Sequence, residues 1–189
     1  MKTCVFITGT NCTGKSTLAR TLIEQYGGIE KATRLVTYCN DGFTAFGGDY
    51  SGSSQTGCGI DKFNETKILQ TVVQEALKTR EVVICEGVYL HTFGLNLTNA
   101  IFEAQRQLVV FLYAPIDVIH RRMLARSGRG ITNKAIGQKQ LGCASSLRKW
   151  ASIGVPVMYF DTSKVSIPEV AEQVSNKISN LCGKDMTRP

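Results

Sequence analysis

Residues 9–16 read Gly9-Thr10-Asn11-Cys12-Thr13-Gly14-Lys15-Ser16 and fill every fixed position of the pattern G-x-x-x-x-G-K-[ST]. Four fixed identities at that spacing arise by chance in about one chain of this length in a hundred, at ordinary residue frequencies. The flanks make accident less probable still. Lys2–Thr8 is a short apolar run with β-branched residues and reads as a buried strand. Ser16–Tyr26 places Leu18, Leu22, Ile23 and Tyr26 at helical spacing, with Gly27-Gly28 as a stop signal. A strand, this loop, then a helix is the setting the pattern requires.

The chemistry follows from that setting. Gly9 and Gly14 permit backbone conformations in which successive amides turn inward around a phosphate. The helix that begins near Lys15 adds the positive end of its dipole. Lys15 is expected to reach the β- and γ-phosphates, and the Ser16 hydroxyl to ligate Mg²⁺. The expected cofactors are therefore ATP and Mg²⁺, held by Gly9, Thr10, Asn11, Cys12, Thr13, Gly14, Lys15, Ser16 and Thr17.

A chain of 189 residues with 43% apolar and 20% charged residues can build one full core. One domain over 1–189 is expected, and no apolar run approaches the ~20 residues that a membrane span needs. The chain starts within its first strand, so no signal or transit peptide is expected. Seven cysteines show no C-x-x-C or Cys/His spacing for zinc. Cys4, Cys39 and Cys85 sit in apolar strand patterns as small buried hydrophobes, whereas Cys12 is expected to be exposed in the loop. A reduced, cytoplasmic protein is the expectation.

Strand-like runs recur at Cys4–Thr8, Leu35–Cys39, Val82–Cys85, Leu108–Tyr113 and Val155–Phe160. Helical patterns lie at Ser16–Tyr26, Lys62–Thr79, Thr98–Arg106, Pro115–Arg126, Asn133–Ala151 and Pro168–Leu181. Continuous apolar strands alternating with helices predict an α/β fold with a doubly wound parallel sheet, covered on both faces. Its ligand should lie beyond the carboxyl ends of the strands. Residues 34–61 break the alternation. Two short β-like runs flank Asn40-Asp41-Gly42, which is hairpin-turn chemistry. A Gly/Ser-rich stretch through Asp61 follows, and a loop of that length is usually functional. The phosphoryl acceptor is expected there.

Among the acids, Glu86 ends the apolar run Val82-Val83-Ile84-Cys85, the form of a segment whose carboxylate holds Mg²⁺ or polarises a nucleophile. Asp61 is either the N-cap of the helix expected from Lys62 or a general base for the acceptor hydroxyl. Asp41 fits a turn residue better than a base, and Asp49, beside Tyr50, could touch substrate. His91 and His120 lack partners at ligand spacing.

Net charge is +7, and no acidic residue falls between Asp117 and Asp161. Arg122, Arg126 and Arg129 are spaced to project from one side of a helix into the next turn. Arg126 and Arg129 are candidates to stabilise transition-state charge from a closing lid over about 121–150, with Arg122 on the nucleotide. The basic stretch faces something anionic, and Lys134, Lys139 and Lys149 are either a solvated face or contacts to a nucleic-acid backbone.

These motifs, in this order, resemble the P-loop kinases of the nucleoside and nucleotide kinase group: an N-terminal phosphate loop, a strand ending Glu86-Gly87, and Arg122-x-x-x-Arg126-x-x-Arg129. Within that group, Gly48-Asp49-Tyr50 and Gly57-Cys58-Gly59-Ile60-Asp61 resemble phage-encoded kinases that phosphorylate 5-hydroxymethyluracil in DNA. That resemblance implies DNA as acceptor and a host-cytoplasmic setting. The Asp-Arg-[Tyr/Phe/His] motif of deoxynucleoside kinases is missing after Glu86, as is the arginine-rich monophosphate signature from 35–65. A kinase for a free nucleotide or other small metabolite is the alternative. A nucleotide-dependent switch is the more remote one, since no Asn-Lys-x-Asp pattern is present.

Overall fold

The computed structural model describes residues 1–52, 59–63, 65–128 and 132–183. Its centre is a seven-stranded sheet in the order β2-β3-β4-β5-β1-β6-β7. The strands are β1 (Thr3–Gly9), β2 (Ile29–Ala32), β3 (Val36–Cys39), β4 (Thr44–Gly47), β5 (Val82–Glu86), β6 (Arg106–Tyr113) and β7 (Val157–Asp161). β1 runs parallel between β5 and β6, with Ile7 opposite Glu86 and Gly9 opposite Leu112. Every residue of β1 and β5 is buried, as continuous apolar runs require in a sheet covered on both faces. The carboxyl ends of β1 and β5 therefore open at the same edge, where the loop to α1 leaves Gly9.

The six helices are α1 (Lys15–Gln25), α2 (Ile68–Thr79), α3 (Leu95–Ile101), α4 (Ile116–Ser127), α5 (Asn133–Ser152) and α6 (Ile167–Cys182). One face of the sheet packs Val5, Ile7, Ile84 and Val110 against Leu18 and Leu22 of α1 and Val170 and Val174 of α6. The other packs Cys4, Phe6, Val83 and Val109 against Leu69 and Val73 of α2, Ala100 of α3 and Trp150 of α5. Two helices carry strong local start signals. Ser166 and Glu169 form a reciprocal capping box with Pro168 in the first turn of α6, and the Thr132 hydroxyl accepts the Ala135 amide at the start of α5. No helix among the described residues is long and apolar enough to cross a membrane.

The expected α/β architecture stands, with four local corrections. The sheet is mostly rather than wholly parallel: β2–β3 and β3–β4 are antiparallel. β2, with the polar sequence Ile29-Glu30-Lys31-Ala32 and three exposed residues, is an edge strand without an apolar signature. Charged residues on such an edge discourage pairing with other chains. The helix expected over Lys62–Thr79 is instead a 3₁₀ turn, Ile60–Phe63, followed by α2 from Ile68. The helix expected over Thr98–Arg106 ends at Ile101, and Arg106 already opens β6. The β3–β4 turn is as expected: both oxygens of Asp41 are taken, Oδ1 by the Phe43 and Thr44 amides and Oδ2 by the Thr44 hydroxyl. Asp41 is thus a turn residue.

Candidate functional site

The loop from Gly9 to Lys15 depends on two glycines with positive φ. At Gly9 (φ 144°) a Cβ would stand 2.2 Å from the Leu112 carbonyl oxygen of the neighbouring strand. At Gly14 (φ 94°) it would meet Ile167 of α6 at 2.6 Å. The loop is thereby held between β6 on one side and the start of α6 on the other. Cys12 also has positive φ (58°) and is half-buried, packed against Ile119, Met123 and Ile136, so it is less open than its loop position predicts. The Thr13 hydroxyl donates to the Thr10 carbonyl at 2.9 Å, tying the loop across itself.

Lys15 and Glu86 form the centre. Lys15 is 6% exposed, and its Nζ donates to the Thr10 carbonyl at 2.8 Å. Glu86, at the end of β5, is 3% exposed and accepts the Ser16 hydroxyl on Oε1 at 3.0 Å. Burial lowers the Lys15 pKa, opposed by the negative charges of Glu86 and Asp61. Burial raises the Glu86 pKa, opposed by Lys15 and by hydrogen bonds from Ser16 and Tyr50. A buried ammonium, a hydroxyl and a buried carboxylate thus meet at the N-terminus of α1, where backbone amides point outward. Ser16 Oγ and Glu86 Oε1 supply hard oxygen donors of the kind Mg²⁺ takes, with one or two protein groups and the remainder water or phosphate. No cluster of three or more His, Cys, Asp or Glu suited to a metal occurs among the described residues.

Asp61 does not cap α2, whose N-cap residue is Lys67, without a side-chain cap. Its carboxylate instead accepts the Val88 amide at 2.7 Å and the Tyr89 amide at 3.2 Å. This contact needs glycine on both sides. A Cβ on Gly87 would lie 2.6 Å from Asp61 Oδ1, and one on Gly59 would lie 2.4 Å from the Glu86 carbonyl and 2.5 Å from its Oε1. Gly87 therefore admits Asp61 rather than opening space for a ligand. Asp49 is occupied by the Ser51 amide and hydroxyl, which hold its carboxyl below the ordinary range.

Of the arginines, Arg122 is anchored: Nη1 donates to the Cys12 carbonyl at 3.3 Å and Thr162 Oγ1 at 3.0 Å, and Nη2 to the Thr162 carbonyl at 2.7 Å. Arg126, one turn on, is exposed and lines the same cavity. Arg129 lies outside the described residues. On α4, Ile119 and Met123 face inward, whereas Leu124 is exposed. The cavity has a volume of about 790 Å³ and joins Lys15, Ser16, Asp61 and Glu86 to Arg122, Arg126, Thr162 and Ile167. That size suits a nucleotide-scale ligand.

Sequence reasoning missed Thr162, Arg20 and the role of Lys139. Thr162 follows the last strand, where doubly wound sheets place ligands, so its position carried a signal. Arg20 donates to the Tyr50 and Gly52 carbonyls and lies 5.7 Å over the Tyr50 ring, linking α1 to the Gly-rich segment. Nothing in its spacing announced that. Lys139, half-buried, donates from Nζ to Asn11 Oδ1 at 3.2 Å and so reaches the Gly9–Ser16 loop, while Lys134 and Lys149 are exposed.

Neither a protein-family model nor a curated protein sequence matches the chain. Solved structures do match over nearly all of it. YorR from Bacillus subtilis, in complex with phosphorylated GDP, has TM-score 0.60 at 17% identity, covering 93% of this chain and 95% of that one. A sugar kinase from Janibacter has TM-score 0.53 at 13% identity, over 95% of each chain. Deoxyadenosine kinase from M. mycoides, with bound dCTP, has TM-score 0.52 at 14% identity, covering 94% of this chain and 99% of that one. At these identities the likeness is one of fold: the chain shares the mostly parallel α/β architecture of these structures.

Proposed function

We propose that this protein is an ATP-dependent phosphotransferase that moves the γ-phosphate of ATP to a hydroxyl of a free nucleotide or other small molecule. The observation that carries the reading is the meeting of Lys15, Ser16 and Glu86 at the N-terminus of α1, behind a complete phosphate loop. The loop amides from Thr10 to Thr17 would bind the phosphates, and Lys15 would exchange its Thr10 carbonyl for a phosphate oxygen. Ser16 and Glu86 would hold Mg²⁺, which supplies neutralisation of phosphate charge. Glu86 is the better candidate to polarise the acceptor hydroxyl, because Asp61 is already engaged by two amides and acts by fixing the turn after β5. Arg122 and Arg126 would meet the nucleotide from α4, joined by Arg129.

The chain would then form one kinase domain over 1–189, with the acceptor segment at about 34–61 and the lid at about 121–150. A reduced, cytoplasmic setting suits the buried thiols of Cys4, Cys39, Cys85 and Cys143. The small-molecule acceptor is favoured over DNA because the named neighbours in complex hold free nucleotides, phosphorylated GDP and dCTP. A second reading, 5-hydroxymethyluracil in DNA as acceptor, draws on the exposed Lys134, Arg148 and Lys149 of α5.

Incubation with γ-labelled ATP and a panel of free nucleosides, nucleotides, sugars, plain DNA and 5-hydroxymethyluracil DNA tests both. Label on a small molecule supports the main reading, and label on the modified DNA alone replaces it with the second. No transfer to any acceptor, with no ATP hydrolysis, counts against a kinase.

A further inference from the structure

α5 presents its buried side through Ile136, Cys143, Ser146 and Trp150. Lys139 and Gln140 stand three and four residues after Ile136, on that same side of the helix. Gln140 donates to the Ala114 carbonyl at 2.7 Å and pins α5 to the turn between β6 and α4. With Trp150 and Cys143 buried below and Gln140 tied beside it, the reach of Lys139 is set by packing. It ends on Asn11 Oδ1, the residue next to Thr10, which receives Lys15. The Cys143 thiol, pushed up to about 11 mainly by burial, is drawn back down by the positive charges of both Lys15 and Lys139. Two ammonium groups therefore converge on one stretch of the loop from different elements.

Both groups are bonded to neutral oxygens of the loop itself. Hydrogen bonds from ammonium to an ionised oxygen are roughly twice as strong as those to neutral acceptors. A triphosphate in the loop would draw both lysines away from Thr10 and Asn11. Asn11 lies on the limb that leaves β1, whereas Ser16 and Thr17 lie on the limb that opens α1. A cation at Asn11 thus faces the end of a phosphate chain whose other end rests on the α1 amides.

We propose that Lys139 is a second phosphate-binding lysine, delivered by α5, which contacts the terminal phosphate of the bound nucleoside triphosphate. The assignment rests on the proposed ATP-dependent function and adds a residue that the phosphate-loop pattern does not contain. It makes the site selective for triphosphate over diphosphate, since only the triphosphate presents the terminal group.

Calorimetric titration of the intact protein with Mg·ATP and Mg·ADP tests it, using the wild type, Lys139→Met and Lys139→Arg. Lys139→Met should weaken ATP binding roughly tenfold or more, the scale of a hydrogen bond to a charged group, and leave ADP binding nearly unchanged. Lys139→Arg should restore much of the preference for ATP. Thermal unfolding of each variant should match the wild type. Equal weakening for ATP and ADP would mean that Lys139 only braces the loop and would overturn the proposal, as would no weakening at all. A wild type that binds ATP with an insensitive Lys139→Met sinks this inference alone, whereas a wild type that binds neither nucleotide sinks the kinase reading with it.

Discussion

At Glu86 burial and a neighbouring ammonium act in opposite senses. Burial, the larger effect, raises the carboxyl pKa, and Lys15 pulls it back. If Glu86 must be ionised to act, kcat/KM falls as pH drops through its raised value, because that ratio reports ionisations of the free enzyme. The acidic limb should therefore lie above the ordinary glutamate range near about 4.3. A pH profile with that limb at the ordinary value would remove Glu86 from the role. Glu86→Gln should lower kcat by about a hundredfold or more, with ATP affinity changed only a few-fold, since the lost interaction belongs to the transition state. Asp61→Asn should be milder; the reverse ranking would transfer the base to Asp61. The carboxylate at 86 was legible as the end of an apolar strand. Its bond to Ser16 was not, because that depends on β5 lying beside β1, a pairing that no local pattern encodes.

Between elements, the end of β5 and the 3₁₀ turn at Ile60–Phe63 approach so closely that glycine is required at both contact points. Gly59→Ala would drive a Cβ into the Glu86 carbonyl and carboxylate, and backbone there has little room to give. Overpacking of this kind costs roughly 1–3 kcal/mol, and here it also displaces the carboxylate. The variant should lose both thermal stability and turnover. Gly94→Ala, where the backbone is extended and nothing lies within 4 Å of the added carbon, serves as the comparison and should change neither. If both glycine variants behave alike, the close approach is not what shapes the site. The Asn40-Asp41-Gly42 hairpin was readable because its turn chemistry is local. The 3₁₀ turn was not, since Asp61 before an apolar-periodic run looks like a helix cap, and its amide partners at 88 and 89 are distant in sequence. β2 was missed for the opposite reason: a polar edge strand lacks the apolar signature by which strands are recognised.

For the whole molecule, the alternation of apolar strands and amphipathic helices was enough to read a doubly wound sheet and the edge at which its site opens. Charge was a poorer guide. The acid-free stretch was visible, but which cations face outward depends on how α4 and α5 fold back over the loop. Arg122 and Lys139 turn inward to Cys12 and Asn11, while Lys134 and Lys149 remain exposed. On the small-molecule reading, Lys134→Gln/Lys149→Gln should leave turnover unchanged, and the protein should not retain duplex DNA at physiological salt. On the DNA reading, affinity for DNA would fall with a slope of roughly −0.9 in log K per phosphate contact against log salt, and the double variant would flatten that slope. Binding to duplex DNA from low to moderate salt separates the two.

In the proposed function the loop around Lys15 carries out phosphoryl transfer from ATP. Label transfer from γ-labelled ATP, measured in parallel with thermal unfolding for the wild type and Lys15→Ala, is the decisive measurement. The expected result is transfer by the wild type and a loss of about a hundredfold or more in the variant, the scale of a lost transition-state charge contact, with cooperative unfolding retained. Near-normal transfer by Lys15→Ala would contradict it.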